Sequence, residues 1–167
     1  DGLPSTEVYF VHQDSDGYIW FCTDRGISRY NGKEFVNFTV ADGLTDNTVF
    51  KVFEDTHGSL WFTCMDGSLT IYDRKSQKFE GFAGNNKLID IAGSRRWVNH
   101  IGFRNDSIFL FPFNVNADSN LIVFSRTDPD ELINHRFEIY FENELSIFDN
   151  LCFLMISTDG GNPKYKV

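Results

Sequence analysis

The chain contains 167 residues with a formal net charge of −9, and 18 of its residues are Phe. The negative charge argues against nucleic acid and against an anionic membrane surface as partners. No apolar run approaches the roughly 18 residues of a membrane-spanning helix, so we expect any membrane anchor to lie in segments outside this chain. The many Phe residues favour packed layers of β-sheet.

The first half of the sequence contains the same pattern twice, in residues 2–38 and 43–82. Turn and aromatic positions match at an offset of 41 residues up to Gly67. The matched pairs are Gly2 and Gly43, Leu3 and Leu44, Val8 and Val49, Asp14 and Asp55, Gly17 and Gly58, Trp20 and Trp61, and Gly26 and Gly67. A period of about 40 residues with four short strand patterns is typical of a β-propeller blade. The repeat therefore predicts an all-β fold built from four-stranded antiparallel blades.

Each copy predicts four strands separated by turn residues. In the first copy they cover Glu7 to Gln13, Tyr18 to Thr23, Ile27 to Tyr30 and Glu34 to Thr39. The first of these strands is apolar on both faces, which predicts that it is buried between neighbouring sheets. Gly17 and Gly58 end the first turn of each copy, and we expect both to adopt a positive φ angle. Trp20 and Trp61 are the largest apolar groups of the second strands, so we expect them to be buried between blades.

From Asn85 onward the repeat fades, although the pattern still predicts strands. Short apolar runs occur at Trp97 to Phe103, Ser107 to Phe113, Leu121 to Ser125, Phe137 to Phe141, Leu145 to Phe148 and Leu151 to Ser157. The segment from Asp130 to Asn134 is compatible with one helical turn. We therefore predict two regular blades in residues 1–84, at about 2–41 and 43–84, followed by a different second half in residues 85–167. That half is either a set of degenerate blades or a small separate β domain.

The length of the chain limits the number of blades. Propellers close with about four to eight blades, and 167 residues allow four units at most. We therefore expect a partial propeller, or a fragment of a larger one.

A set of residues in the first half falls on a known repeat pattern. They are Gly2-Leu3-Pro4-Ser5, Val8, Gln13-Asp14, Gly17, Trp20, Thr23, Gly26, Arg29, Tyr30 and Asn31. In these positions the chain resembles the two-component regulator propeller repeat. It departs from the family pattern at two small-residue positions, where Cys22 and Thr63 replace Gly and Cys64 replaces Thr.

Closely similar repeats begin the extracytoplasmic sensor regions of Bacteroidetes-type membrane histidine kinases. The resemblance implies a periplasmic, ligand-sensing propeller segment of a two-component sensor histidine kinase. It also implies that signals enter through ligand binding and the arrangement of a dimer.

The sequence offers little support for catalysis or metal binding. It has no G-x-S-x-G, P-loop or H-E-x-x-H motif, no Cys-x-x-Cys, and no metal-ligand spacing among its four His residues. We therefore predict no catalytic residue, no metal, no cofactor and no enzymatic activity for this segment. Asp14 and Asp16 lie inside a turn, where a structural role is expected, and Cys22, Cys64 and Cys152 are expected to be buried free thiols.

Two other interpretations of the function stay open. The first is a propeller enzyme, a lyase or hydrolase, that acts on polysaccharide. The second is a structural protein-interaction propeller without a small ligand.

The geometry of a propeller predicts where a ligand would bind. The loops that join the second strand to the third, and the fourth strand to the next blade, gather on one face around the channel mouth. In this chain those loops contain Asp24, Arg25, Asp46, Asn47, Met65 and Asp66. Loops on a rigid scaffold commonly carry recognition, so we predict that these residues bind an unknown small molecule or glycan. We also expect self-association through exposed strands of the second half, such as Ile108 to Phe113.

Overall fold

The structure is a computed structural model that describes residues 2–92, 98–104, 107–112, 122–125 and 132–133. The first blade consists of β1 to β4, at Val8–Gln13, Ile19–Thr23, Gly26–Tyr30 and Phe35–Phe38. The second blade consists of β5 to β8, at Val49–Glu54, Leu60–Cys64, Leu69–Asp73 and Lys78–Gly81. The third sheet consists of β9 to β12, at Val98–Arg104, Ser107–Pro112, Ile122–Ser125 and Leu132–Ile133. Strands that are adjacent in the chain pair in an antiparallel manner in all three sheets, which confirms the predicted all-β fold class.

An Asp-centred turn joins the first two strands of each regular blade. The Asp14 carboxylate accepts a hydrogen bond from the backbone N–H of Tyr18 at 2.9 Å and from the indole Nε1 of Trp20 at 2.7 Å. Asp55 makes the equivalent bond to Nε1 of Trp61 at 2.8 Å. Each aspartate therefore closes its turn and also satisfies the polar atom of a buried Trp.

The turn glycines adopt the conformation that the repeat predicts. Gly17 has a φ of 88° and Gly58 a φ of 85°. Both values lie in the left-handed region, which residues with a Cβ atom rarely adopt. The prediction of positive φ at both positions is confirmed.

The two repeated Trp residues form the centre of the packing between sheets. Trp20 is 0% exposed and Trp61 is 2% exposed. The ring of Trp20 lies 5.2 Å from that of Tyr72 in the second blade, and the ring of Trp61 lies 5.5 Å from that of Phe103 in β9. Their predicted burial between blades is confirmed, and each ring contributes on the order of 2 kcal/mol or more through the apolar area that it buries.

The expectation that the first strand of each copy is buried is wrong for β1. Val11 is 51% exposed, whereas Val52, at the matched position of β5, is 2% exposed. The reason is the position of each strand in the stack of sheets. Strand β5 is covered by the first blade through contacts with β1 and β2, whereas Val8, Tyr9 and Val11 of β1 stay exposed in the described structure.

The region after the second blade differs from the sequence prediction in two ways. A short α-helix, α1 at Asn85–Ala92, follows β8 where only strands were expected. Leu132–Ile133 forms strand β12 rather than part of a helical turn. The strands predicted at Phe137 to Phe141, Leu145 to Phe148 and Leu151 to Ser157, and also Trp97 and Cys152, lie outside the described residues.

The expected association segment around Ile108 is not a sheet edge. Strand β10 pairs with β9 on one side and with β11 on the other. Ile108 is 1% exposed and Leu110 is 0% exposed. The sequence did not show that this segment would lie in the middle of the third sheet; Phe113 is outside the described residues. The predicted division of the chain near residue 84 stays a prediction.

Candidate functional site

The structure brings the predicted ligand-binding loops together at one end of the blades. The backbone N–H of Gly26 donates to the carbonyl oxygen of Asn47 at 2.6 Å, and the N–H of Met65 donates to the carbonyl of Thr48 at 2.9 Å. These bonds connect the β2–β3 turn, the β4–β5 connection and the β6–β7 turn. We call the surface formed by Asp24-Arg25, Asp46-Asn47 and Met65-Asp66 the loop face.

The side chains of Asp46 and Asn47 hold the loop face in shape. One oxygen of Asp46 accepts from the N–H of Thr48 at 3.0 Å, and the other accepts from the N–H of Asp66 at 3.2 Å. The side-chain oxygen of Asn47 accepts from the N–H of Val40 at 3.0 Å. Because these oxygens already accept backbone hydrogen bonds, Asp46 and Asn47 act as the frame of the surface.

Three other predicted residues present side chains to solvent. Arg25 and Asp66 are exposed, and Met65 is 55% exposed. One oxygen of Asp66 accepts from the N–H of Ser68 at 2.8 Å, which fixes the turn. The exposed group on the loop face thus combines a cation, a carboxylate and an adaptable thioether.

Asp24 occupies a different position from its neighbours on the loop face. It is half-buried, and within the described part of the chain its Oδ1 atom is buried without a hydrogen-bond partner. The turn that carries it is held by Thr23, whose hydroxyl accepts from the N–H of Arg25 at 3.0 Å. A buried carboxylate oxygen is costly to leave unpaired, so Asp24 is the member of the loop face with an unused acceptor.

The sequence analysis did not assign to the site two aromatic residues, Tyr9 and Phe50, whose rings pack against one another. Tyr9 donates to a carboxylate oxygen of Glu7 at 3.1 Å, and its ring lies 5.3 Å from that of Phe50. The hydrogen bond to Glu7 raises the pKa of Tyr9, and the negative charge of Asp24 contributes in the same direction. Tyr9 and Phe50 occupy matched positions of the repeat, and this match was the available signal. The prediction that the first strand of each copy is buried included Tyr9, yet Tyr9 is 43% exposed.

A second charged cluster lies at the opposite end of the strands and joins the two blades. Arg74 lies 2.9 Å from Glu54 and 3.0 Å from Asp16, and it donates to the hydroxyl of Ser15 at 2.8 Å. Glu54 in turn accepts from the N–H of Ser15 at 2.9 Å. Arg74 and Glu54 of the second blade therefore hold the Ser15-Asp16 turn of the first blade in place.

The thiols and possible metal ligands of the described residues do not form a reactive centre. Cys22 and Cys64 are free and buried, and burial raises the pKa of each thiol above its usual value. Within the described ranges, no group of three or more His, Cys, Asp or Glu residues is arranged to hold a metal ion. Among the same residues, no helix combines the length and apolar character that are needed to cross a membrane.

Comparison with known families gives one match. Residues 2–25 match the family model described as "Two component regulator propeller". This segment contains β1, β2, the Asp14 turn and Trp20, and the resemblance predicted from the sequence is confirmed. A search of the curated proteins gives no match to the chain.

Solved structures with the same fold include the extracellular domain of BT4673 from B. thetaiotaomicron. One structure of it, described as a hybrid two component system, has a TM-score of 0.58 and 17% identity, and the alignment covers 81% of this chain and 18% of that chain. Another, described as a one component system, has a TM-score of 0.53 and 18% identity, and covers 81% and 17%. The chain therefore spans less than a fifth of these relatives, and at these identities the likeness concerns the propeller fold.

Proposed function

We propose that the chain is a ligand-sensing β-propeller segment of a two-component sensor histidine kinase, placed outside the cytoplasm. The observation that carries the proposal is the match of residues 2–25 to the two-component regulator propeller model. The hydrogen bond between Asp14 and Trp20 shows why this segment recurs, since it closes the turn and buries the Trp in one step. The relatives with the same fold are described as extracellular domains, which supports an extracytoplasmic, periplasmic location.

The loop face is the surface that we propose for ligand binding. Its frame is rigid because Asp46 ties the β4–β5 connection to the β6–β7 turn. Arg25 and Met65 project from this frame, and Asp24 offers an unused acceptor. A rigid surface with a few polar groups and nearby aromatic rings suits a small polar molecule or a glycan fragment.

We propose that the ligand signals by changing the arrangement of two copies. Because a four-stranded blade is stiff, it transmits a small displacement at the ligand to the interface between copies. That interface can respond with a discrete change of packing. The membrane anchor and the kinase would belong to other parts of a longer protein.

Binding and variant measurements test the proposal. The chain is titrated by calorimetry with oligosaccharides from partial hydrolysis of plant and animal polysaccharides. Arg25→Ala and Met65→Ala should weaken binding about tenfold or more, as expected when a central contact is lost. Lys33→Ala is the matched control, because it also removes an exposed positive charge, but on the β3–β4 turn at the other end of the strands. If Arg25→Ala and Lys33→Ala lowered the binding affinity equally, the ligand would not bind at the loop face.

The same oligosaccharide panel distinguishes the two alternatives. Release of new reducing ends or unsaturated products would favour a polysaccharide lyase or hydrolase over a sensor. Binding of another protein to the loop face without any small ligand would favour the structural module.

A further inference from the structure

The interface between the first two blades contains an arginine that packs against aromatic rings. In the first blade Trp20 stands opposite Arg29, and Arg29 stands opposite Val36. Directly opposite residues of antiparallel strands lie on the same face, so these three form one row toward the second blade. The guanidinium of Arg29 lies 4.8 Å from the ring centre of Tyr18 and 5.6 Å from that of Trp20.

Arg29 also makes a polar contact across the blade interface. Its Nη1 donates to the hydroxyl of Tyr72 in the second blade at 3.0 Å. In the first blade, the cation that packs on Trp20 through cation–π contacts is therefore a residue of the same blade, Arg29.

The matched row of the second blade has the opposite character. Trp61 stands opposite Ile71, and Ile71 stands opposite Glu80. The cation of the first blade is replaced by an aliphatic residue, and the apolar Val36 is replaced by a carboxylate. The repeat thus keeps the Trp, replaces the cation beside it by Ile71, and adds the negative charge of Glu80 next to Ile71.

A cavity lies at this row. It has a volume of about 260 Å³, and its walls include Trp61, Ile71, Phe82, Asp73 and Glu80. Asp73 accepts hydrogen bonds from the N–H of Lys75 and the hydroxyl of Ser76. These bonds, that from Lys75 most of all, lower the pKa of Asp73, so its carboxylate is ionised at neutral pH. Among the described residues, neither Asp73 nor Glu80 forms an ion pair.

We propose that this cavity binds the guanidinium group of an arginine side chain in a peptide. The group would lie in the cavity over Ile71, at the part of Trp61 that forms the wall, with Glu80 as its counter-charge. A planar guanidinium can pair with a carboxylate and stack on an aromatic ring at the same time, which an ammonium group does less well. The site is distinct from the loop face and does not depend on the proposed sensory function.

A pair of probes tests the cavity directly. N-acetyl-arginine amide is titrated into the 167-residue chain by calorimetry, alongside N-acetyl-citrulline amide, which has nearly the same shape but no charge. We expect the arginine probe to bind about tenfold or more tightly than the citrulline probe, and Glu80→Gln to remove most of that difference. Glu34→Gln, at an exposed glutamate of the first blade, should leave it unchanged. Equal affinity for both probes, no binding of either, or an unaffected Glu80→Gln variant would overturn the proposal.

A second test restores the missing cation within the chain. Ile71→Arg should place a guanidinium where Arg29 lies in the first blade, raise the melting temperature by roughly 2 to 4 °C, and abolish binding of the arginine probe. Ile71→Met is the control, because it fills similar space without charge; it should give no such rise and should still bind the probe. An Ile71→Arg chain that melts below Ile71→Met, or that still binds the probe, would show that the cavity does not accept a guanidinium. The Glu80→Gln comparison decides the matter if Ile71→Arg fails to fold.

Discussion

Replacing Asp14 by Ala should be among the most damaging single changes at the surface turns of this protein. The carboxylate of Asp14 accepts hydrogen bonds from the N–H groups of Asp16 and Tyr18 at 3.0 and 2.9 Å, and from Trp20 Nε1 at 2.7 Å. Trp20 is 0% exposed, so water cannot replace the lost acceptor. A buried donor without a partner costs about 1–3 kcal/mol, and each turn hydrogen bond contributes about 0.5–1.5 kcal/mol. We therefore expect Asp14→Ala to lower the free energy of unfolding by about 2–5 kcal/mol.

Equilibrium unfolding in urea, followed by far-ultraviolet circular dichroism and Trp fluorescence, measures this loss. Asp16→Ala is the matched control, since it removes a carboxylate from the same turn. The Asp16 side chain is 57% exposed and pairs with Arg74 at 3.0 Å, so its loss should cost about 0–1 kcal/mol. If Asp14→Ala and Asp16→Ala lower the free energy of unfolding equally, the hydrogen bond to Trp20 does not stabilise the blade as argued.

Two further predictions follow from single sites. Gly17→Ala should lower the free energy of unfolding by about 1–2 kcal/mol. This loss reflects only the strain of a positive φ, because a Cβ atom there meets nothing within 4 Å. Gly26→Ala should lower the free energy of unfolding by about 3 kcal/mol or more, since its φ is +106° and a Cβ atom would clash with the backbone oxygen of Phe38. Equal losses of unfolding free energy for the two variants in urea would contradict the packing argument. In a Cys152→Ser background, Cys22 and Cys64 should resist a thiol-specific disulfide reagent at mildly alkaline pH and react fully in denaturing urea, because burial raises the pKa of both thiols. Rapid labelling of the native chain would show that these strands open locally.

The repeat made the interior of the two regular blades predictable. Asp14 and Asp55, like Trp20 and Trp61, occur at the same spacing in both copies, and in both they form the same hydrogen bond. A turn that needs a positive φ at Gly and an acceptor at Asp leaves little freedom at these positions. The local geometry of a blade is therefore contained in each copy.

Packing around a blade was less predictable, because it depends on what lies next to it. Val11 and Val52 occupy the same position of the pattern, yet one is 51% exposed and the other 2%. The apolar residues of β1 are compatible with packing against a neighbouring sheet, but the sequence of the strand does not show whether such a sheet is present. The sequence did not predict helix α1, because eight residues are too few for a clear helical period; Leu88 is the fully buried residue among its described side chains.

The position of the candidate site could be predicted from the sequence, but the roles of its residues could not. The six loop-face residues lie on three loops that hydrogen bonds join, as propeller geometry indicated. Sequence alone could not show that Asp46 and Asn47 use their side-chain oxygens within the frame. Their binding role, like that of the other loop-face residues, stays a prediction.

The exposed face of the first blade leads to a prediction about association. In the second blade, the face that contains Val52 is covered by the first blade, whereas Val11 and Tyr9 of the first blade are exposed. Strand β1 is also the edge of its sheet, and an exposed apolar edge favours pairing with another chain. We therefore expect the isolated chain to form dimers or larger species at tens of micromolar, as measured by light scattering after size-exclusion chromatography. Val11→Lys should shift the population toward monomer, because a charge on an edge strand opposes pairing. Val40→Lys, at a residue of nearly the same exposure on the 3₁₀ turn at Val40–Asp42, should leave the population unchanged. A compact monomer in the unsubstituted chain would mean that the β1 face does not recruit a second copy, and the expected self-association would then be wrong.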